Sequence, residues 1–136
     1  MKQVLRLNAR VFLWAVALNF LWEMAQAYAY SGMPPSSFEA TLMCGRASLI
    51  DGLLVLGIFW GGVVVLSRVE WVAAVGFLVS VVIELNAVYR VGKWGYRETM
   101  PLLPPWEVGV LPVLQMLLLP PVIFLLSRRK SGRKES

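Results

Sequence analysis

A chain of 136 residues is the length of one domain, and its 58% hydrophobic content and mean hydropathy of +0.66 lie far above a water-soluble protein's norm. The net charge of +5 does not point to nucleic acid, because the basic residues gather at the two ends of the chain and no basic, aromatic-interleaved surface lies between them. With no histidine and one cysteine, Cys44, the chain by itself excludes His-ligated haem, a His-rich zinc site, a Ser-His-Asp triad and an intrachain disulfide.

Four apolar runs are each long enough to cross ~30 Å of hydrocarbon, which takes ~20 helical residues. The expected fold class is therefore all-α, an integral membrane four-helix bundle that buries its surfaces in lipid and in itself. The first span runs from about Ala9 to Tyr30. Its basic start and Ala27-Tyr28-Ala29 superficially match a signal peptide with a small-residue cleavage site. Asn19, Trp22, Glu23 and Gln26 interrupt the apolar stretch, however, so the reading is a retained helix. Ser31 to Arg46 reads as a polar connector with a turn at Pro34-Pro35-Ser36-Ser37.

The second span covers about Ala47 to Ser67, and Gly57, Gly61 and Gly62 offer a small-residue face for close packing. A tight turn at Ser67-Arg68-Val69-Glu70 makes spans two and three an antiparallel hairpin, the third running from about Trp71 to Tyr89. Arg90 to Glu107 is too polar and too rich in Pro and Gly to span. Its Trp94, Tyr96, Met100, Leu102, Leu103 and Trp106 predict an interfacial loop that folds back to cap the outer side. The fourth span is about Val108 to Leu126, where Pro112 and Pro120-Pro121 are expected to kink the helix and free carbonyls one turn upstream. Residues 1–127 thus read as a single transmembrane domain and 128–136 as a basic, disordered tail.

Orientation follows from Lys and Arg. With both termini inside, the two tails and Arg68 place nine on the inner side, against Arg46, Arg90, Lys93 and Arg97 on the outer side. Nine against four predicts N-in and C-in, both termini cytoplasmic.

Polar residues inside the spans converge in depth. At ~1.5 Å of rise per residue, Glu23 and Gln26, Asp51, Glu84 and Gln115 all fall roughly 6–10 Å below the outer surface. Asn19, Glu23 and Gln26 share one helical stripe, and Ser80 and Glu84 are four apart. An ionisable side chain at membrane depth costs about 2.5–3.5 kcal/mol on lenient scales, so these groups are expected to face the bundle interior and line a shared cavity. Three close carboxylates in a low dielectric cannot all stay ionised, and a protonated acid beside a charged one is the arrangement that acid–base chemistry uses.

Each residue also has a plainer reading. Glu23 and Glu84 can be helix-to-helix glue, and Asn86 a packing contact near a helix end. Asp51, placed in a first turn, suits the helix dipole. Arg90, Lys93 and Arg97 can snorkel to headgroups, and Trp94, Tyr96 and Trp106 can form an interfacial belt. Gln115 can satisfy a carbonyl freed by the proline kink.

Asn19-Phe-Leu-Trp22-Glu23-Met-Ala-Gln26, the run Glu84-Leu-Asn86-Ala-Val-Tyr89-Arg90-Val-Gly92-Lys-Trp94-Gly-Tyr96 with Met100-Pro101, and Leu111-Pro112-Val-Leu-Gln115 resemble small bacterial inner-membrane proteins of uncharacterised families. That resemblance covers most of the chain and implies a multi-pass protein of the bacterial inner (plasma) membrane, without implying an activity. A looser architectural likeness is to the emopamil-binding sterol isomerases and the membrane-embedded terpene cyclases, helical bundles that protonate an isoprenoid double bond with buried carboxylates. The histidine of the sterol isomerases is missing here, the chain is shorter than either, and the paired acidic motif of the heterodimeric lycopene cyclases is absent.

The first expectation for function is binding or acid–base processing of a lipid- or isoprenoid-like apolar molecule with a small polar head. Glu84 and Glu23 supply acid and base and Asp51 orients them. Trp22, Trp94 and Tyr96 line the pocket, Arg90 and Arg97 hold an anionic head, and Asn19, Gln26, Asn86 and Gln115 complete the ligand contacts. No cofactor fingerprint is present, and no metal is assigned, although an oxygen-only Mg²⁺ or Ca²⁺ site is chemically allowed. One alternative is proton or cation movement by a homo-oligomer through Glu23, Asp51 and Glu84, opposed by an inner half that is nearly pure hydrocarbon. The other is a structural or assembly subunit of a larger membrane complex.

Overall fold

A computed structural model of the chain describes residues 1–34, 36–65 and 68–129. Four helices organise it: α1 (Lys2–Gln26), α2 (Ser37–Phe59), α3 (Glu70–Glu84) and α4 (Val110–Arg129). Each has a stretch long and apolar enough to cross a membrane, of 28, 26, 22 and 18 residues in chain order. Large apolar side chains such as Leu13, Leu21, Leu53, Leu78, Val82 and Leu125 stay exposed around the outside, which suits lipid as the solvent.

The helix ends explain where the expected boundaries shift. α2 begins ten residues before Ala47, because Ser36 and Glu39 form an S-x-x-E start in which the Ser36 hydroxyl accepts from the Glu39 N–H at 3.4 Å. The connector before it therefore shrinks, and Gly32 turns the chain at φ 78°. Pro35 and Ser67, on which two expected turns partly rest, lie outside the described residues. So do residues 130–136 of the tail, whereas Arg128 and Arg129 complete α4. Wide, π-type turns extend α2 over Trp60–Val65 and α3 over Leu85–Val91. Gly92, at φ 67°, then ends the helix, its N–H bonding the Ala87 carbonyl.

Pro112 does not kink α4. It sits in the first turn, where a missing N–H has no intrahelical partner to lose. Pro120 does remove a donor, the one for the Met116 carbonyl four residues upstream. Gly76 of α3 lies against that same carbonyl, so closely that a Cβ there would collide with it. The small-residue contacts are thus Gly76 on α4, Gly62 on the Val72 backbone and Gly52 under Phe12 and Val16. Gly57 and Gly61 have open space around them, so the expected packing face of α2 reduces to Gly62.

α1 packs along α2 and α4, and α4 along α3. α2 and α3 approach each other chiefly beside their connecting turn, so the expected hairpin is tight only there. An apolar cluster of Val11, Ala15, Val55, Ile58, Phe59, Val72, Leu119 and Ile123 fills the end of the bundle near that turn.

The opposite end is closed by the 90–109 segment, where two short antiparallel strand pairs add to the mostly helical fold. β1 (Tyr30–Ser31) pairs with β2 (Gly95–Tyr96), Tyr30 opposite Tyr96. β3 (Leu102–Leu103) pairs with β4 (Val108–Gly109). The Arg97 N–H bonds the Ala29 carbonyl at 2.8 Å, and the Tyr89 hydroxyl donates to the Glu107 carbonyl, tying the loop to α1 and to the end of α3. Polar backbone outside a helix needs such partners, which this loop finds in the helix ends it covers.

Candidate functional site

Gln115, in the second turn of α4 and only 2% exposed, is the hub of the capped end. Its amide nitrogen donates to Asn19 Oδ1 at 2.7 Å and reaches both Glu23 Oε1 and Asp51 Oδ2 at 3.2 Å. Its amide oxygen accepts from Gln26 Nε2 at 3.1 Å. The Trp22 indole donates to Gln26 Oε1 at 2.9 Å and to the Leu111 carbonyl at 3.2 Å. Asn19 returns its own N–H to the Ala15 carbonyl at 2.7 Å. Residues of α1, α2 and α4 therefore meet on one amide.

Glu23 and Asp51 thus share that one nitrogen, each at 3.2 Å. The first-turn reading of Asp51 fails, because the early start of α2 puts Asp51 roughly 21 Å along the axis from Ser37, beyond the reach of the helix terminus.

Glu84 forms the second half of the layer. It is 4% exposed, and its Oε2 accepts from the Trp94 indole at 3.3 Å and from the Tyr96 hydroxyl. The Gly109 N–H in turn donates to the Tyr96 hydroxyl. Gly95 lets β2 lie close enough for this, since a Cβ there would stand 2.6 Å from the Ser31 hydroxyl. Ser80, one turn before Glu84, donates to the Pro112 carbonyl at 3.0 Å and locks α3 to α4 beneath the site.

Tyr30 stands between the two halves and was not singled out from the sequence. Its ring centroid is 5.8 Å from that of Tyr96 and 6.5 Å from that of Trp94, the latter edge-on. Burial first, then the charges of Glu84 and Glu23, hold its phenol above the ordinary range. Tyr96 is also raised, by burial and then by the hydrogen bond to Glu84. Tyr96 is the phenol that donates, to Glu84. From the sequence Tyr30 reads only as a belt residue at a span end; its pairing with Tyr96 is a long-range event that local pattern does not encode.

Three expected residues lie elsewhere. Asn86 and Arg90 are exposed and line a shallow groove on the outer face of α3 with Val82, Ile83 and Leu85. Arg97 is exposed on the cap. Asn86 follows Glu84 by two positions, which turns it to the opposite side of the helix. Comparison of the chain with known protein families, with curated proteins and with solved structures finds no match.

Proposed function

We propose that the protein lies in a bacterial plasma membrane with both termini on the cytoplasmic side. There, its capped end binds an apolar molecule with a small polar head and holds that head against Glu23, Asp51 and Glu84 for acid–base processing. The positive-inside distribution supports the orientation. With Arg46 now inside α2, the loops at the capped end keep only Arg90, Lys93 and Arg97.

The observation that carries the functional reading is the convergence of Glu23 and Asp51 on one Gln115 nitrogen. Interhelical hydrogen bonds in membranes average only ~0.6 kcal/mol, while an acid at this depth costs several times that. Neutral side chains would hold the helices together at lower cost, so the acids have a use beyond cohesion. Glu84, fixed by Trp94 and Tyr96, is the positioned acid, and the Glu23–Asp51 pair is the store for the proton.

Proton movement across the whole bundle has less support, because the apolar cluster around Val11, Val55 and Ile123 occupies the far half. A packing role keeps one observation in its favour: among the described residues every buried side-chain polar atom has a hydrogen-bond partner.

Native mass spectrometry from mild detergent, wild type beside Glu84→Gln and Asp51→Asn, separates these readings. A stoichiometric apolar adduct on the wild type that both variants lose is the expected result. An unrelated chain that co-purifies equally with all three forms, or no adduct on any of them, overturns the binding reading and leaves an assembly role.

A further inference from the structure

Between α1 and α2, open to the outside of the bundle, lies a groove of about 550 Å³. Its volume falls within the ~300–1,000 Å³ range of ligand sites. Ala17 and Phe20 form one wall, Leu42 and Leu49 the other, and Gly45 widens it where a larger side chain would fill it. Arg46 is the single charged residue of its lining.

Arg46 is the unusual feature. The sequence places it in a polar connector, yet it sits in the second helix roughly 14 Å from Ser37, within an apolar stretch long enough to span. It is exposed, and among the described residues its guanidinium has no hydrogen bond or ion pair. An unpaired cation on the lipid side of a helix is costly unless it reaches a headgroup phosphate, and arginine can do so along its apolar stem. A guanidinium beside an apolar trough complements an anionic head joined to a hydrocarbon chain.

We infer that this groove is a binding site for one anionic phospholipid of the bilayer, an acyl chain lying between Phe20 and Leu49 and the phosphate held by Arg46. The inference uses none of the carboxylates and does not depend on the function proposed above.

The test is native mass spectrometry of the protein in mild detergent titrated with dioleoylphosphatidylglycerol or dioleoylphosphatidylcholine. Wild type should retain one phosphatidylglycerol per chain and bind phosphatidylcholine at least several-fold more weakly. Arg46→Gln should weaken phosphatidylglycerol about fivefold, and Arg46→Lys should restore most of the loss. Gly45→Leu has open space at its Cβ, so it should fold, block the trough and weaken both lipids. Equal retention of the two lipids, indifference to both Arg46→Gln and Gly45→Leu, or a homodimer that excludes lipid would each overturn the assignment.

Discussion

The two ends of the bundle solve the same packing problem differently. Near the α2–α3 turn, helices meet through apolar side chains and close backbone approaches at Gly62 and Gly76, with the Trp60–Asn8 hydrogen bond at 3.1 Å alongside. At the capped end, six side chains from three helices are tied through Gln115, and a carboxylate is held by an aromatic loop. Lipid offers no hydrophobic force between helices, so cohesion comes from close contact, and the apolar end achieves it without an acid. The acids at the other end are an added cost, which the proposed binding role would account for.

The comparison breaks most severely at Gly76. Gly76→Leu drives a side chain into the Met116 carbonyl, a backbone atom that cannot swing aside, and should cost about 3 kcal/mol or more. Gly57→Ala, with open space at its Cβ, should stay within about 0.5 kcal/mol of wild type. Thermal unfolding of both variants in one detergent measures the contrast.

Gln115→Leu should come next, at about 2 kcal/mol, several times the ~0.6 kcal/mol average for one interhelical bond. It strips donors from Asn19, Glu23 and Asp51 together. The triple variant Gln115→Leu with Glu23→Leu and Asp51→Leu should recover part of the loss, since the two acids no longer sit buried without a donor and only Asn19 Oδ1 and Gln26 Nε2 still lack their Gln115 partner. Failure to recover would mean that the layer is needed for folding itself.

Tyr96→Phe should cost about 1 kcal/mol and sharpen the comparison through pH. The free phenol titrates near 10.0, and the folded one higher. Below pH 10 both states hold the proton and the contribution is complete; above it the unfolded chain ionises first, so stability falls as pH rises toward the folded value. Unfolding midpoints between pH 8 and 11 should drop in wild type and drop less in Tyr96→Phe, with Tyr30 accounting for part of what persists. A smaller loss than these belongs to Trp60→Phe at the apolar end, about 0.6 kcal/mol for its bond to Asn8. A loss there as large as that of Gln115→Leu would erase the distinction between the ends.

Particular residues show how far the chain could be read unaided. Glu23, Asp51 and Gln115 stand out because an ionisable or amide side chain is conspicuous in an apolar run, but the depth count for Asp51 started from Ala47 rather than Ser37, and their meeting is shown by the structure. Asn86, Arg90 and Arg97 were grouped with them by nearness in sequence to Glu84, but helix rotation and the course of the loop carry them to the surface. The early start of α2 was written in Ser36 and Glu39, a local signal overshadowed by the neighbouring prolines. Gly57 and Gly61 looked equivalent to Gly62, and nothing local separates them, since the distinction is which face meets Val72.

What the amino-acid sequence determined by itself is the class of object. Run length and apolarity specify four span-capable helices, because an unpaired backbone group in hydrocarbon costs too much for anything but helix. It also determined that acids from three helices would need company. The tertiary structure alone decided which company: Gln115 between Glu23 and Asp51, Tyr96 and Trp94 on Glu84, Tyr30 between the two, and Arg46 exposed on the outside of α2. Periodicity reports how one helix faces its surroundings. Which residues of separate helices meet depends on rotation and register between them, and those are set only when the whole bundle packs.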